Sequence, residues 1–348
     1  MNVSDFDFHL PSRLIAQEPA PTRGSSRLLV LNRQSGEIRH TAVSHLADFL
    51  RPGDLVVLND TKVFPARLLG TRDPRGGAVE CLLLARLEDD LWDALVHPGQ
   101  KLQPGTRMIF RGSSHTLHGE VLDRQFHGRR TIRLWSDDQG GTDEAVDAIG
   151  HVPLPPYIKR EDLPRDRDRY QTVYARERGS VAAPTAGLHF TPAILQSLSD
   201  KSIGRASITL HVGYGTFQPV RATQVEEHRV DREFVFISEA AAELINTANR
   251  DHRRIVAVGT TTTRALESAV RAGRGVITPQ SGWTDLFIYP GFEFRIVSAL
   301  MTNFHLPMSS LLMLVAAFAG RERVLAAYRE AVANDYRFYS YGDAMLIL

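Results

Sequence analysis

Hydrophobic and polar positions change rhythm twice along the chain. Leu28 to Leu31 and Ile38 to Val43 flank a polar turn from Asn32 to Glu37, which predicts a β-hairpin. Val43 to Leu50 predicts a short helix, stopped by Arg51-Pro52-Gly53-Asp54, and Leu55 to Leu58 is the unbroken apolar run of a buried strand. From residue 66 to 150 the rhythm shortens. Apolar stretches at 78–85, 91–96, 107–111, 116–122 and 131–135 are separated by Gly, Pro and Asp with almost no helical periodicity. That pattern predicts a small antiparallel barrel or sandwich.

After Pro153-Leu154-Pro155-Pro156 strands alternate with helices. Thr191-Pro192 predicts a capped helix start, and Ser238 caps an Ala-rich helix over 239–250. Ile208 to Val212 predicts a strand. Ile255 to Gly259 predicts a buried strand that runs through four threonines into a helix over 264–272. Leu286 to Tyr289 predicts a further strand, and 309–319 and 321–333 predict helices. The alternation indicates an α/β fold with a mixed sheet. Residues 1–65 supply strands without completing a domain. The expectation is a discontinuous α/β core, 1–65 plus 151–348, carrying an inserted antiparallel, barrel-like β domain at 66–150.

Composition narrows the class. A chain of 348 residues with 43% hydrophobic and 23% charged residues can bury a full core, so disorder is excluded as its main state. Basic and acidic residues nearly cancel, 41 against 40, which excludes a polybasic binder but leaves room for a local basic groove. The lone Cys81 excludes a disulfide framework and a Cys-rich metal site. The N-terminus lacks the apolar core of a signal peptide, and the apolar run Leu311 to Ala319 is too short to span a bilayer. A soluble cytoplasmic protein is expected, without membrane partners and with monomer as the default.

Five segments carry candidate chemistry. Asn59-Asp60-Thr61-Lys62 follows a buried strand, where open α/β sheets place ligands. Asp60 suits a base or a sugar-hydroxyl acceptor, and Lys62 and Arg67 suit an anion; a polar turn at a domain junction is the plainer reading. Ala182 to Thr191 sets small residues, Thr185 and Gly187 among them, ahead of His189. That histidine precedes a helix N-terminus, which favours the neutral imidazole a base needs, although a structural histidine is the competing reading. His211-Val212-Gly213-Tyr214-Gly215 is no dinucleotide loop, because Gln218-Pro219 stands where a helix should begin. Gly213 and Gly215 still expose backbone to a ligand. Thr260 to Arg264 opens a helix and forms either an anion site or a simple cap. Asp285, Asn303 and His305 flank a strand and a helix beside aromatic residues suited to a cation. His189, His211 and His305 have no ligand spacing, so no metal is expected.

Literal strings go further than spacing. NDTKVFPARLLG, PLPPYI, YQTVYA, GSVAAPTAGLHFT, LHVGYGTFQPV, GTTTTRALES, TDLFIYPG and TNFHLP occur in one order. From residue 6 to 342, and most weakly over 71–150, the chain resembles the S-adenosylmethionine:tRNA ribosyltransferase-isomerases of queuosine biosynthesis. The resemblance implies that the ribosyl group of S-adenosylmethionine moves onto the aminomethyl group of a 7-deazaguanine at the tRNA wobble position. The sugar becomes an epoxycyclopentanediol, giving epoxyqueuosine, and adenine and methionine leave. S-adenosylmethionine is then a consumed co-substrate, and no separate cofactor is implied.

Under that resemblance His189 or His211 is the candidate base and His305 a second proton handler. Asp60 and Asp285 suit the ribose or adenine departure. The substrate set is Thr185, Gly187, Gly213, Gly215, Thr260, Thr261, Thr262, Arg264, Glu267 and Asn303, and the tRNA contacts are Arg23, Arg27, Lys62 and Arg67. The alternatives are an S-adenosylmethionine-dependent tRNA methyltransferase and a non-catalytic RNA-binding module. Two positions depart from the expected family pattern. Ser298 stands where an Asp is expected, and Asp231 where a second His should follow His228, which leaves Glu233 in that loop.

Overall fold

A computed structural model describes residues 1–125 and 128–348. After two 3-10 turns, Val3–Phe6 and Ser12–Leu14, the first strands are the predicted hairpin, β1 (Arg27–Leu31) and β2 (Ile38–Ala42), then β3 (Leu55–Asn59) and β4 (Thr61–Val63). Between β2 and β3 the expected short helix is a 3-10 segment, Val43–Phe49. The next six strands are β5 (Arg67–Asp73), β6 (Ala78–Arg86), β7 (Leu91–His97), β8 (Arg107–Arg111), β9 (Thr116–Arg124) and β10 (Arg129–Ser136). They close into an antiparallel barrel in the order β10-β7-β6-β5-β8-β9. Helix α1 (Gly141–Ile149) plugs it, placing Ala145 and Val146 in the barrel core with Leu83, Trp92 and the fully buried Cys81.

The chain then returns through α2 (Asp166–Arg169), β11 (Glu177–Ser180), α3 (Pro192–Asp200), β12 (Gly204–His211), β13 (Glu233–Ile237) and α4 (Glu239–Arg250). It finishes with β14 (Ile255–Val258), α5 (Thr260–Ala272), β15 (Gln280–Thr284), β16 (Ala299–Asn303), α6 (Ser310–Ala319), α7 (Arg321–Ala333) and β17 (Ala344–Ile347). The large sheet runs β15-β13-β12-β3-β14-β16-β17-β1-β2. Its central strands β12, β3, β14 and β16 are mutually parallel, while β13, β15, β17 and β2 each make antiparallel pairings. The last strand pairs parallel with the first, Leu28 against Ala344, so the two ends of the chain share one sheet.

Local chemistry explains most of these elements. Thr191 Oγ1 accepts from the Ile194 N–H and Ser238 Oγ from the Ala241 N–H, the two caps legible in the sequence. Alternation on β12 and β13 sends Ile208, Leu210, Val235 and Ile237 into the core under α4 and α5. Three expectations need correction. Leu286 to Tyr289 is not a strand; the strand is β15, just before it, and the Leu286 carbonyl is held instead by Arg264 Nε (2.9 Å). The helix expected over 264–272 begins at Thr260, so the threonines are helical. The insert, read as nearly free of helix, contains α1, and a sixth strand, β5, precedes the five apolar stretches read there.

Candidate active site

Because β12, β3, β14 and β16 run parallel, their carboxyl ends, His211, Asn59, Val258 and Asn303, lie along one edge of the sheet, where open α/β folds bind ligands. β14 turns directly into α5 at Gly259, whose φ of +95° suits glycine. No side chain caps α5, so its first N–H groups face a small inner chamber of about 30 Å³. Thr185, Thr260, Thr261, Asn303, His305 and Tyr339 line that chamber. Thr262 and Thr263 do not serve it: their hydroxyls donate back to the carbonyls of Val258 (2.7 Å) and Gly259 (3.1 Å).

Asn303 ties the chamber to the histidines. Its Nδ2 donates to the Tyr339 carbonyl (2.9 Å) and lies 3.3 Å from His189 Nε2, while its buried Oδ1 has no partner among the described residues. His305 binds Thr302 Oγ1 through Nε2 (2.8 Å). Burial lowers the pKa of His189 to about 4 and that of His305 to about 3. Both imidazoles are therefore neutral near pH 7 and able to accept a proton or a hydrogen bond. His305 meets the chamber directly; His189 stands behind Asn303, in a separate recess with Arg23.

Thr216 and Leu311 are shared with an outer chamber of about 350 Å³. Arg264 projects there from α5, with Nη1 donating to Glu233 Oε2 at 2.6 Å and both side chains buried. Glu233 Oε1 also accepts from the Gly213 N–H (3.1 Å) and Thr216 Oγ1 (3.2 Å), so this carboxylate shapes the glycine loop. Arg264 Nη2 is buried without a partner among the described residues, an unspent donor in the wall. Gly215, Arg221, His228 and Asp231 complete that wall, and Asp231 is held by Arg129 of the barrel (2.7 Å).

The structure brings together Thr185, Gly215, Thr260, Thr261, Arg264, Asn303 and His305, with Gly213 just beneath. It places the rest elsewhere. Asp60, raised in pKa mainly by burial, accepts from Thr209 Oγ1 (2.7 Å) and Arg176 Nη2 (2.9 Å), pinning β11 to the sheet. His211 binds Thr61 Oγ1 (2.8 Å) on the sheet face away from the chambers. Asp285 is exposed and faces Arg232 at 3.7 Å. Glu267 accepts the backbone N–H groups of Arg295, Ile296 and Val297, and Gly187 packs beneath Tyr174. Arg23 donates to the carbonyls of Gln171, Leu188 and Asp168, Arg27 pairs with Asp343, and Arg67 pairs with Glu80. Lys62 is exposed beside a further cavity of about 260 Å³ at the barrel junction. Ser298 caps the start of β14, at the opposite end from the chambers.

Sequence reading singled out neither Tyr339 and Ser340 nor Arg221. The first two belong to the last loop before β17 and the third to a coil, and none sits in a motif of its own. Among the described residues no group of three His, Cys, Asp or Glu side chains is placed to hold a metal, and no helix is long and apolar enough to cross a membrane.

Comparison with known proteins places this geometry. A family model described as "Queuosine biosynthesis protein" matches residues 3–347. S-adenosylmethionine:tRNA ribosyltransferase-isomerases of Pelotomaculum thermopropionicum and Halothermothrix orenii are each 49% identical over 348 residues, 100% of both chains. The protein of that name from Carboxydothermus hydrogenoformans is 51% identical over the same span. The crystal structure of an S-adenosylmethionine tRNA ribosyltransferase from Thermotoga maritima covers 99% of this chain and 100% of its own, at 39% identity and a TM-score of 0.56. With the family model spanning nearly the whole chain, this protein belongs to the queuosine biosynthesis protein family.

Proposed function

We propose that the protein is a transferase that moves and isomerises the ribosyl group of S-adenosylmethionine onto tRNA. Its acceptor is the amine of 7-aminomethyl-7-deazaguanine at the wobble position, and the product is epoxyqueuosine. The amine loses a proton and gains the sugar carbon skeleton as the epoxycyclopentanediol; adenine and methionine depart. S-adenosylmethionine is consumed as a co-substrate. The protein works as a cytoplasmic monomer.

The observation that carries this reading is the two-chambered cleft over the parallel strand ends, in which anion-binding donors adjoin neutral imidazoles. The uncapped N-terminus of α5, with Thr260 and Thr261, suits the methionine carboxylate. Asn303 Oδ1 is an unspent acceptor for a ribose hydroxyl. The methylene beside a sulfonium is acidic, and His305 is the imidazole in contact with the chamber to receive its proton. With a pKa of about 3, His305 is a weak base, so the proton it takes comes from a carbon that the sulfonium strongly acidifies. Asn303 orients His189 behind it. The outer chamber admits the flipped tRNA base, with Arg264 Nη2 as a donor to its edge or to a phosphate.

Double labelling tests the reaction. S-adenosylmethionine labelled in the ribose is expected to leave its label in the tRNA, and substrate labelled in the methyl group to leave its label in free methionine. Methyl label in the tRNA, with S-adenosylhomocysteine formed, would establish a methyltransferase instead.

A further inference from the structure

Asn303 ends β16 at the inner chamber, 1% exposed, and the orientation of its amide follows from its neighbours. A backbone carbonyl only accepts, so the group facing the Tyr339 carbonyl at 2.9 Å is the NH2. That carbonyl is firmly held. It also accepts the Gly342 N–H at 2.9 Å, and the Tyr339 N–H donates to the Phe304 carbonyl at 2.9 Å. Tyr339 has a φ of +75°, a left-handed conformation that a bulky residue adopts only at a cost. The buried Asp343 ties down the loop that imposes it, accepting the N–H groups of Arg27 and Arg337.

The other N–H of the amide is directed at His189, with Nδ2 3.3 Å from Nε2. A donor needs an acceptor there, so Nε2 is bare and the ring proton is on Nδ1. Burial lowers the pKa of His189 to about 4 and keeps the imidazole in this neutral form near pH 7. The lone pair that could take a proton from substrate is therefore already engaged by Asn303.

With both N–H groups spent on protein, Asn303 keeps Oδ1 as a buried acceptor that has no partner among the described residues. A buried carbonyl without a donor is costly, and a ligand that supplies one relieves that cost. The chamber selects the kind of donor. Among the described residues no acidic side chain lines it, so nothing there balances an ammonium group. At about 30 Å³ it is too small for a purine ring, but it takes a hydroxyl and the carbon bearing it.

We propose that His189 is a positioning residue: with the Tyr339 carbonyl it locks the Asn303 amide so that Oδ1 reads one ribose hydroxyl of S-adenosylmethionine. This inference rests on the proposed use of S-adenosylmethionine as the ribosyl donor. It takes His189 out of the proton transfer. It also makes the site selective against a deoxyribose, because the analogue leaves Oδ1 unpaired.

The test follows adenine release by the full-length protein with tRNA carrying the aminomethyl-deazaguanine. S-adenosylmethionine is the substrate, and its 2′-deoxy and 3′-deoxy forms are competitors. One deoxy form is expected to bind at least about tenfold more weakly than S-adenosylmethionine, the effect of an unpaired buried carbonyl. His189→Leu, which offers no acceptor, should raise the KM for S-adenosylmethionine about tenfold with kcat held within about threefold. In that variant the discriminated deoxy form should bind within about threefold of S-adenosylmethionine. His189→Gln sets an amide oxygen where Nε2 stands and should restore both the KM and the discrimination. Equal binding of S-adenosylmethionine and both deoxy forms by the unsubstituted protein overturns the proposal without any variant. So does a folded H189L protein, judged by its melt, that keeps the discrimination. A loss of kcat of about a hundredfold in H189L overturns it too, by making His189 a proton acceptor. An unsubstituted protein that releases no adenine overturns the reading of function and this inference with it, a result distinct from the others.

Discussion

Thr261→Asp tests where the substrate carboxylate sits, because it sets a second carboxylate at the same helix terminus. Thr261 is buried in the first turn of α5 and lines the inner chamber. A carboxylate there meets the positive end of the helix, worth about 0.3–1 kcal/mol at an exposed terminus, which offsets only part of the cost of burying its charge. The same charge faces the methionine carboxylate placed at that terminus. Two unit charges about 5 Å apart, at an effective dielectric of about 20, repel by about 3 kcal/mol. S-adenosylmethionine affinity should therefore fall about a hundredfold or more, while the melting temperature falls only modestly in a protein that still folds. Thr261→Val, which removes only the hydroxyl, should weaken binding about tenfold, one hydrogen bond to a charged acceptor at about 1.5 kcal/mol. Calorimetric titration with S-adenosylmethionine and a thermal melt of each variant make the measurement. T261D that folds and binds within threefold of the unsubstituted protein would refute the placement of the carboxylate at α5.

Other outcomes follow from buried charge and burial. Glu233→Gln leaves Arg264 buried without its counter-charge and should cost about 3–5 kcal/mol in denaturant unfolding, with E233Q/R264M costing less than the sum of its single substitutions. Burial depresses His189 and His305, so the unfolded chain binds more protons below pH 6.5. Stability present above that pH is lost as the pH falls toward about 4 for His189 and about 3 for His305. The full loss is about 3 kcal/mol at His189, and an H189Q protein whose stability still falls as steeply between pH 6.5 and 4 would contradict it. Asp60→Asn should lower stability by about 1–2 kcal/mol through its bonds to Thr209 and Arg176, with the KM for S-adenosylmethionine unchanged. A tenfold change in that KM would return Asp60 to the substrate.

Local signals were legible in the sequence where they act alone. Thr191-Pro192 and Ser238 announce their helices because a cap needs only its own next turn. β5 stayed hidden because Arg67–Asp73 alternates weakly and gains its inward face only when the barrel closes on β6 and β8. The strand expected at Leu286 to Tyr289 has the right apolar run, but its carbonyl partner is the side chain of Arg264, 22 residues earlier. The same limit governs the site. Strand-end residues such as Asn303 and the threonines of α5 are visible because topology places them. The Arg264–Glu233 pair and Tyr339 require knowing that three distant segments meet. Asp60 and His211 follow strand ends too, yet their side chains turn away from the chambers, a difference of face that spacing alone does not reveal.

The most direct test incubates the protein with S-adenosylmethionine and tRNA carrying the aminomethyl-deazaguanine, counting free adenine against modified tRNA nucleoside. One adenine per nucleoside converted, none without the modified tRNA, and no S-adenosylhomocysteine is the predicted result, with His305→Ala abolishing both products in a folded protein. Tight tRNA binding with no adenine released would contradict the account, and undiminished turnover by the His305→Ala protein would contradict the assignment of its proton acceptor.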